Sequence, residues 1–407
     1  MLLRPSEAGI PEVSPTRLDP SDRAGIRAHL DEHGFACVRG CVSQPELDRA
    51  EELLWQHLEG VEEASQRMAQ KRPIGWRRGK PATWLEGHAD GLMTSTTHCD
   101  SMWYVRSRPG VIQAFHAAYG THDDSELVAA YDRMSVNLPV SSGNAGALRV
   151  AAATSRHGKF GVAQRMHTHV GQFYGPAFKG PEYYAIVPLF DMNRNTGATA
   201  VVPGSHRTAE SIEARWQLKW GQKSGARRSA EERLLATADL EPFEQCGLTP
   251  CVTSIKAGDC VLFDTALFHG AYAAEDPTGQ SGNGPDQLLR AIYILSMSFS
   301  RLQTPTILEA RRTAYERDLF WPPTVGHADF ARHIVDGELD GLDAASLGSV
   351  ARLSAAAEGT LERALYLNLA ERQDTRGEVF PRIRDFAKAD AVVQRLIDPT
   401  YAAAARL

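Results

Sequence analysis

Cysteine is scarce in this sequence: 407 residues hold six, at positions 37, 41, 99, 246, 251 and 260. No two form a Cys-x-x-Cys pair, and there is no dense disulfide framework. Reduced, buried thiols in a cytoplasmic protein are therefore expected. Long apolar runs are missing too, and none approaches the length of a membrane span. The opening stretch MLLRPSEAGIPEV has no charged-then-apolar pattern, so export is not expected. Positive charge is not in excess. Lys and Arg total 44 against 50 Asp and Glu, a formal charge of −6, which argues against wrapping nucleic acid through the global field. Internal repeats and low-complexity linkers are absent, so nothing forces a second domain. What remains is ordinary globular composition, 43% hydrophobic and 23% charged. A chain of this size can hide roughly three quarters of its unfolded surface in a core.

The patterning changes along the chain. Residues 19–33 read as a helix that starts at a Ser or Asp cap and stops at Gly34, and FACVRG follows as one strand. Ser43 and Glu46 have capping-box spacing at the head of a second helix. Its stripe of Leu47, Ala50, Leu54 and Leu58 must pack against something. From about 130 to 300 the texture turns to short β-like runs: YDRMSVNLPV, RMHTHVGQF, YYAIVPLFDM, ATAVVPGSH, CVTSI, CVLFD and LRAIYILSMSF. Many short strands with turn residues between them predict a sandwich or jelly roll rather than a parallel α/β sheet. Residues 207–240 are charged and helical in pattern and read as an insertion or lid. Residues 275–287 (EDPTGQSGNGPDQ) are a turn or hairpin tip. Helical patterns return after 305, over PTILEARRTAYERDL, 343–372 and 385–397.

The expected fold class is thus a mainly β core with α-helical flanks, in one domain over 1–407. Residues 1–128 form an N-terminal helical, substrate-side region, 129–302 the β core with its insertion, and 303–407 a helical C-terminal extension. Three histidine groups stand out as carriers of chemistry: His98-Cys99-Asp100, His167-Thr168-His169-Val170-Gly171, and His269 in GDCVLFDTALFHGAY. A lone histidine on an apolar strand is more often a hydrogen-bonded core residue than a ligand. The context of His169 and His269 favours the ligand reading for these two.

That context is a resemblance. HVGQF…YAIVPLFDMNRNTGATAVVPGSHR, GDCVLFDTALFHGA and LLRAIYILSMSF together resemble the core of the phytanoyl-CoA dioxygenase-like family, and HLDEHGFACVRGCVSQPELDRA resembles its opening. The resemblance spans roughly residues 25–302. It implies a double-stranded β-helix (jelly roll, cupin-like) and an oxygenase using Fe(II), 2-oxoglutarate and O₂. It also implies His169 and His269 as iron ligands, and Arg290 as the residue holding the distal carboxylate of 2-oxoglutarate. An arginine suits that role because its planar fork bonds both carboxylate oxygens. Iron sites of this class take two imidazoles and one carboxylate. The carboxylate normally follows the first histidine by two residues, where a strand returns to the same face.

Two departures are visible. Arg290 lies farther from His269 than the family pattern has it, with the 275–287 loop supplying the excess. Where the carboxylate should stand, this chain has Gly171. A His-x-Gly motif resembles the radical halogenases of the superfamily, in which chloride occupies the vacated position on iron. One anion replaces another there, and the missing Cβ leaves room for the bulkier ion. The resemblance then implies chlorination of an unactivated C–H bond in a free small molecule.

Other readings stay open. His98, Asp100 and His269 could form a rival triad, Asp191 or Asp264 could supply a carboxylate and restore hydroxylation, and the chain could be a non-catalytic binding protein on the same fold. His167 could approach the site or cap its strand, His206 reads as a turn residue, and the cysteines have no catalytic role. His98 and Trp103 are candidates for substrate contact, with Trp76 and Trp84 nearby in sequence as further flat apolar walls. Basic clusters at Lys71, Arg72, Arg77, Arg78 and Lys80, and at Lys219, Lys223, Arg227 and Arg228, would suit an anionic substrate such as an adenine nucleotide of nucleoside-antibiotic biosynthesis.

Overall fold

The structure, a computed structural model, describes residues 10–68, 92–93, 96–137, 182–209, 241–272, 287–317 and 389–399, with isolated residues between them. Twelve strands and seven α-helices lie in these stretches. The first strands are β1 (Glu12–Val13) and β2 (Arg17–Leu18), followed by helix α1 (Arg23–His33). The Asp22 side chain caps α1 by accepting from the Gly25 N–H, and Gly34 ends it at φ +77° with its N–H donating to the Leu30 carbonyl. Strand β3 (Phe35–Val38) leads to α2 (Gln44–Met68). There the Ser43 N–H and hydroxyl both donate to Glu46, at 2.8 and 2.7 Å. The expected stripe of Leu47, Ala50, Leu54 and Leu58 is buried.

Strand β4 (Leu92–Met93), helices α3 (Asp100–Arg106) and α4 (Pro109–Tyr119), and strands β5 (Leu127–Ala129) and β6 (Met134–Asn137) come next. The rest of the β core is β7 (Tyr183–Pro188), β8 (Thr199–Val201), the short helix α5 (Glu241–Glu244), β9 (Cys251–Thr253), β10 (Cys260–Asp264), β11 (His269–Ala271) and β12 (Arg290–Phe299). Helices α6 (Pro305–Arg317) and α7 (Ala391–Ile397) follow.

The strands form two sheets. The larger runs β2-β3-β10-β7-β12-β6-β4, with β5 pairing the far end of β12, and the smaller runs β1-β9-β8-β11. The described strands form no closed barrel; they make the mixed two-sheet core with helical flanks expected of a jelly roll. Strand β7 alternates. Tyr183, Ala185 and Val187 join a core shared with α1, α2, α3 and α4, while Tyr184 and Ile186 join a second core between the sheets. Strand β12 does the same, with Tyr293 and Leu295 on the helix side and Ile292 and Ile294 on the inter-sheet side. This period of two fixes which residues can face a site between the sheets.

Helix α7 is fastened to the helix-side core by a buried guanidinium. Arg311 on α6 donates to the carbonyls of Ala129 at 2.5 Å, Leu396 at 3.0 Å and Ile397 at 3.2 Å. Arg312 pairs with Asp398, and Arg395 with Asp124 at 2.7 Å. Among the described residues no helix is long and apolar enough to cross a membrane.

One glycine links the fold to the site. A Cβ on Gly34 would stand 2.6 Å from His206 Nδ1 and 2.8 Å from a Leu267 methyl, at a φ that disfavours side chains. Gly34→Ala is therefore expected to lower stability by about 1–3 kcal/mol, measured by chemical unfolding.

Candidate active site

The Pro203-Gly204-Ser205-His206 turn sets the position of β11. The Gly204 N–H donates to the His33 carbonyl at 2.9 Å, and His206 Nε2 bonds the Asp31 carbonyl at 3.1 Å, tying the turn to the end of α1. From the other side, the Phe268 N–H donates to the Ser205 hydroxyl at 2.9 Å, and the Val202 N–H donates to the Phe268 carbonyl at 2.9 Å. His206 is thus the turn residue that its motif suggested, and the turn delivers the next residue, His269.

His269 is buried at the start of β11, in the inter-sheet space. Its Nδ1 lies 2.9 Å from the Leu267 carbonyl oxygen. A carbonyl only accepts, so the neutral ring carries its proton on Nδ1 and presents a lone pair at Nε2. That tautomer is the one a metal ligand needs, with a backbone acceptor orienting the ring. The Tyr184 hydroxyl reaches across from the larger sheet and donates to Nε2. Phe263 completes the surroundings, its ring 5.2 Å from Tyr184 and 5.8 Å from His269. Full burial pushes the Tyr184 phenol well above its usual range, so it stays a neutral donor.

Arg290 opens β12 on the same face as Ile292 and Ile294 and also points between the sheets. It is buried, and among the described residues its Nε has no hydrogen-bond partner and its guanidinium makes no ion pair. Burial alone pulls its pKa down to about 10, so it is still a cation at neutral pH. A buried cation without an acceptor is costly and calls for an anion. Ser296, six residues further along β12, stands opposite Tyr184 in the ladder. Arg290 thus lies on the inter-sheet face of β12, six residues along the strand from the level of Tyr184 and His269.

The other expected residues are placed as follows. His169, Gly171 and His167 lie outside the described residues, as do the two basic clusters apart from Arg78, which pairs with Glu51 at 2.6 Å. His98 and Trp103 are both buried on the helix side of the larger sheet. The His98 ring lies 5.9 Å from Trp103, 4.8 Å from Tyr131 and 5.6 Å from Tyr315, and Arg106 sits 4.3 Å over Trp103. His98, Asp100 and His269 do not come together: among the described residues no three His, Cys, Asp or Glu side chains are grouped to hold a metal. Asp191 is engaged with the Lys256 ammonium at 2.6 Å and the Ala257 N–H at 2.9 Å. Asp264 accepts from the Ala266 N–H at 2.8 Å and stands opposite Tyr183, on the face turned away from His269. All six cysteines are free thiols. Burial, with Asp259 beside it, drives the Cys37 thiol far from ionisation.

Sequence reasoning did not single out Tyr184. The signal was available in β7, whose alternation sends Tyr184 inward with Ile186, leaving a phenol in an otherwise apolar inter-sheet row.

Residues 152–275 match the family model for phytanoyl-CoA dioxygenase (PhyH), less than half of the chain. No curated protein matches. Several solved structures are similar at low identity. The non-heme α-ketoglutarate-dependent carbocyclase SnoK from nogalamycin biosynthesis is 14% identical, with 70% of this chain and 87% of that one covered and a TM-score of 0.42. The non-heme α-ketoglutarate-dependent epimerase SnoN, from the same biosynthesis, is 16% identical over 69% and 84%, with a TM-score of 0.38. EvdO2 from Micromonospora carbonacea var. aurantiaca, solved with 2-oxoglutarate, is 16% identical over 67% and 89%, with a TM-score of 0.34.

Proposed function

We propose that this protein is a non-haem Fe(II)- and 2-oxoglutarate-dependent oxidoreductase, and more narrowly a radical halogenase that chlorinates an unactivated C–H bond of a free small molecule. The observation that carries the oxygenase reading is Arg290, a buried cation on the inter-sheet face of β12 whose Nε has no acceptor among the described residues. The match of residues 152–275 to the phytanoyl-CoA dioxygenase family supports it.

His269 fits a metal through its fixed tautomer and the lone pair at Nε2. His169 would be the second imidazole, and Gly171 would leave the third protein position to chloride. Arg290 would take the distal carboxylate of 2-oxoglutarate in a bidentate pair. Bound iron would supply activation of O₂ coupled to decarboxylation of the cosubstrate. The residues around it do the selecting. Phe263, Ile186 and Ile292 keep the inter-sheet space apolar, which strengthens any charge pairing made there. The target carbon must be held nearer the halide than the oxygen, a matter of ångström-scale positioning.

The substrate reading is an anionic small molecule, an adenine (deoxy)nucleotide first among the candidates, met by the basic clusters of the sequence in a cytoplasmic setting. One catalytic unit over 1–407 belongs to the same reading, supported by the way α7 is clamped to β5 and α6. The ring-on-ring packing of His98 and Trp103 supports a structural role for that pair, in place of direct contact with substrate.

Purified protein incubated with Fe(II), 2-oxoglutarate, chloride and adenine nucleotides or other anionic substrates is expected to give succinate and a product showing the chlorine isotope pair by mass spectrometry. Gly171→Asp is expected to remove chlorination while metal uptake persists. A hydroxylated product alone at saturating chloride would establish the hydroxylase instead, and failure of the folded chain to take up iron would establish a binding protein.

A further inference from the structure

We infer that residues 11–18 are a brace that fixes the separation of the two sheets, and that this separation positions a ligand bound between the smaller sheet and the larger. The inference rests on the oxygenase reading and concerns a segment that the reading does not require.

The segment belongs to both sheets. Strand β1 pairs in parallel with β9 at the edge of the smaller sheet, with Glu12 opposite Val252 and Val13 opposite Thr253. Strand β2 then pairs in parallel with β3 at the edge of the larger sheet, with Arg17 opposite Cys37 and Leu18 opposite Val38. Only Ser14, Pro15 and Thr16 lie between the two strands. The Cα–Cα steps from Val13 to Arg17, at most about 3.6 Å each, carry the chain about 14 Å. Packed sheets stand about 10 Å apart, so the link has little slack. Pro15 removes more of it, because its ring fixes φ and keeps Ser14 extended.

Both ends are fastened by side chains as well as by strand pairing. On the larger sheet the Arg17 guanidinium donates twice to Asp259, at 2.7 and 2.8 Å. That carboxylate is fully buried just before β10 and also accepts from the Gly40 N–H at 2.9 Å. On the smaller sheet the Val252 and Ser254 N–H groups donate to the Pro11 and Val13 carbonyls, both at 2.8 Å. Arg194 grips the same end. Its guanidinium donates to the Ile10 carbonyl and, at 3.0 Å, to the Tyr272 hydroxyl just past β11, while its N–H donates to Glu12 at 2.9 Å. A two-point arginine–carboxylate fork holds direction as well as distance, which a two-residue strand alone does poorly. By the oxygenase reading the cosubstrate joins a metal held by His269, in the smaller sheet, to Arg290, in the larger. A ligand tied to both sheets senses their spacing, and one tied to the metal alone does not.

The test lengthens the brace without touching either end, by inserting three glycines between Pro15 and Thr16. The protein loaded with Co(II), without O₂, is titrated with 2-oxoglutarate and with oxalate, which can chelate the metal but is too short to span the sheets. In the insertion variant the Kd of 2-oxoglutarate is expected to rise about tenfold and that of oxalate by less than about twofold. The folding equilibrium constant is expected to fall only about threefold, the loop-closure cost of doubling the link. Arg17→Gln, which loosens the larger-sheet end at the original length, is expected to weaken 2-oxoglutarate selectively as well, and Arg17→Lys to recover most of the loss. Equal weakening of both ligands would mean a general loosening of the fold, and unchanged 2-oxoglutarate affinity would mean that the segment merely covers two sheet edges; either result overturns the inference alone. A folded wild type that takes up no Co(II) defeats the oxygenase reading and this inference with it.

Discussion

His269→Gln is expected to lose stoichiometric uptake of Fe(II). The loss should exceed the roughly ten- to hundredfold that follows from removing a residue that only orients a metal ligand. The imidazole is fastened on both sides, by the Leu267 carbonyl and the Tyr184 hydroxyl, so it presents one nitrogen in one direction. A glutamine keeps polar atoms for both neighbours but replaces the aromatic nitrogen with a poor amide donor. The substitution therefore separates metal binding from packing better than alanine, which would leave the buried Tyr184 hydroxyl facing a void. Anaerobic calorimetry with Fe(II) checks it, with circular dichroism to establish that the fold persists. One ion per chain at wild-type affinity in the variant would remove His269 from the ligand set.

Arg290→Met should move two quantities in opposite directions. Affinity for 2-oxoglutarate is expected to fall at least about a hundredfold, the order expected when one partner of a buried charge pair is removed. Stability of the protein without ligands is expected to rise, because methionine fills much of the same volume without a buried charge. Desolvation holds the Arg290 pKa near 10, below its unfolded value, so the unfolded chain binds the proton more tightly than the folded one. The resulting penalty is on the order of 3 kcal/mol. It is fully present at every pH below about 10 and is relieved only as pH rises further. The gain from Arg290→Met is therefore expected to be flat from pH 6 to 9, and it should vanish or reverse when 2-oxoglutarate is present. Denaturant unfolding with and without the cosubstrate reads both effects. Destabilisation of the ligand-free protein would mean that the guanidinium already has an anionic partner.

Much of the core could be read from side-chain order alone. The runs at 183–188, 199–201, 251–253, 260–264 and 290–299 became strands, because short β-branched and aromatic segments between turn residues have no other way to bury themselves. The second helix and its buried stripe followed from the Ser43 cap and the leucine spacing. Helices α3 and α4 went unread although their signals were present: Pro109 at the first turn and Gly120, at φ +69°, at the end. The His98-Cys99-Asp100 spelling drew attention to chemistry where the chain was building a helix. Strands β1, β2 and β4, two residues each, are too short to carry any period and exist only because neighbours pair with them. In the site, His269 and Arg290 were legible as residues but their environment was not. A charge buried between the sheets, or a phenol crossing from one sheet to the other, depends on register, and register is decided by distant segments.

The Arg311 clamp has a consequence for assembly. Its guanidinium is shut inside protein and its acceptors are backbone oxygens from two places far apart in the chain, one on β5 and two at the end of α7. Until the stretch around 391–397 has docked, that cation has only part of its shell. The helix-side layer therefore cannot close on itself early and add α7 afterwards as an ornament; the two must settle together, and a shortened chain without α7 would strand a positive charge in oil.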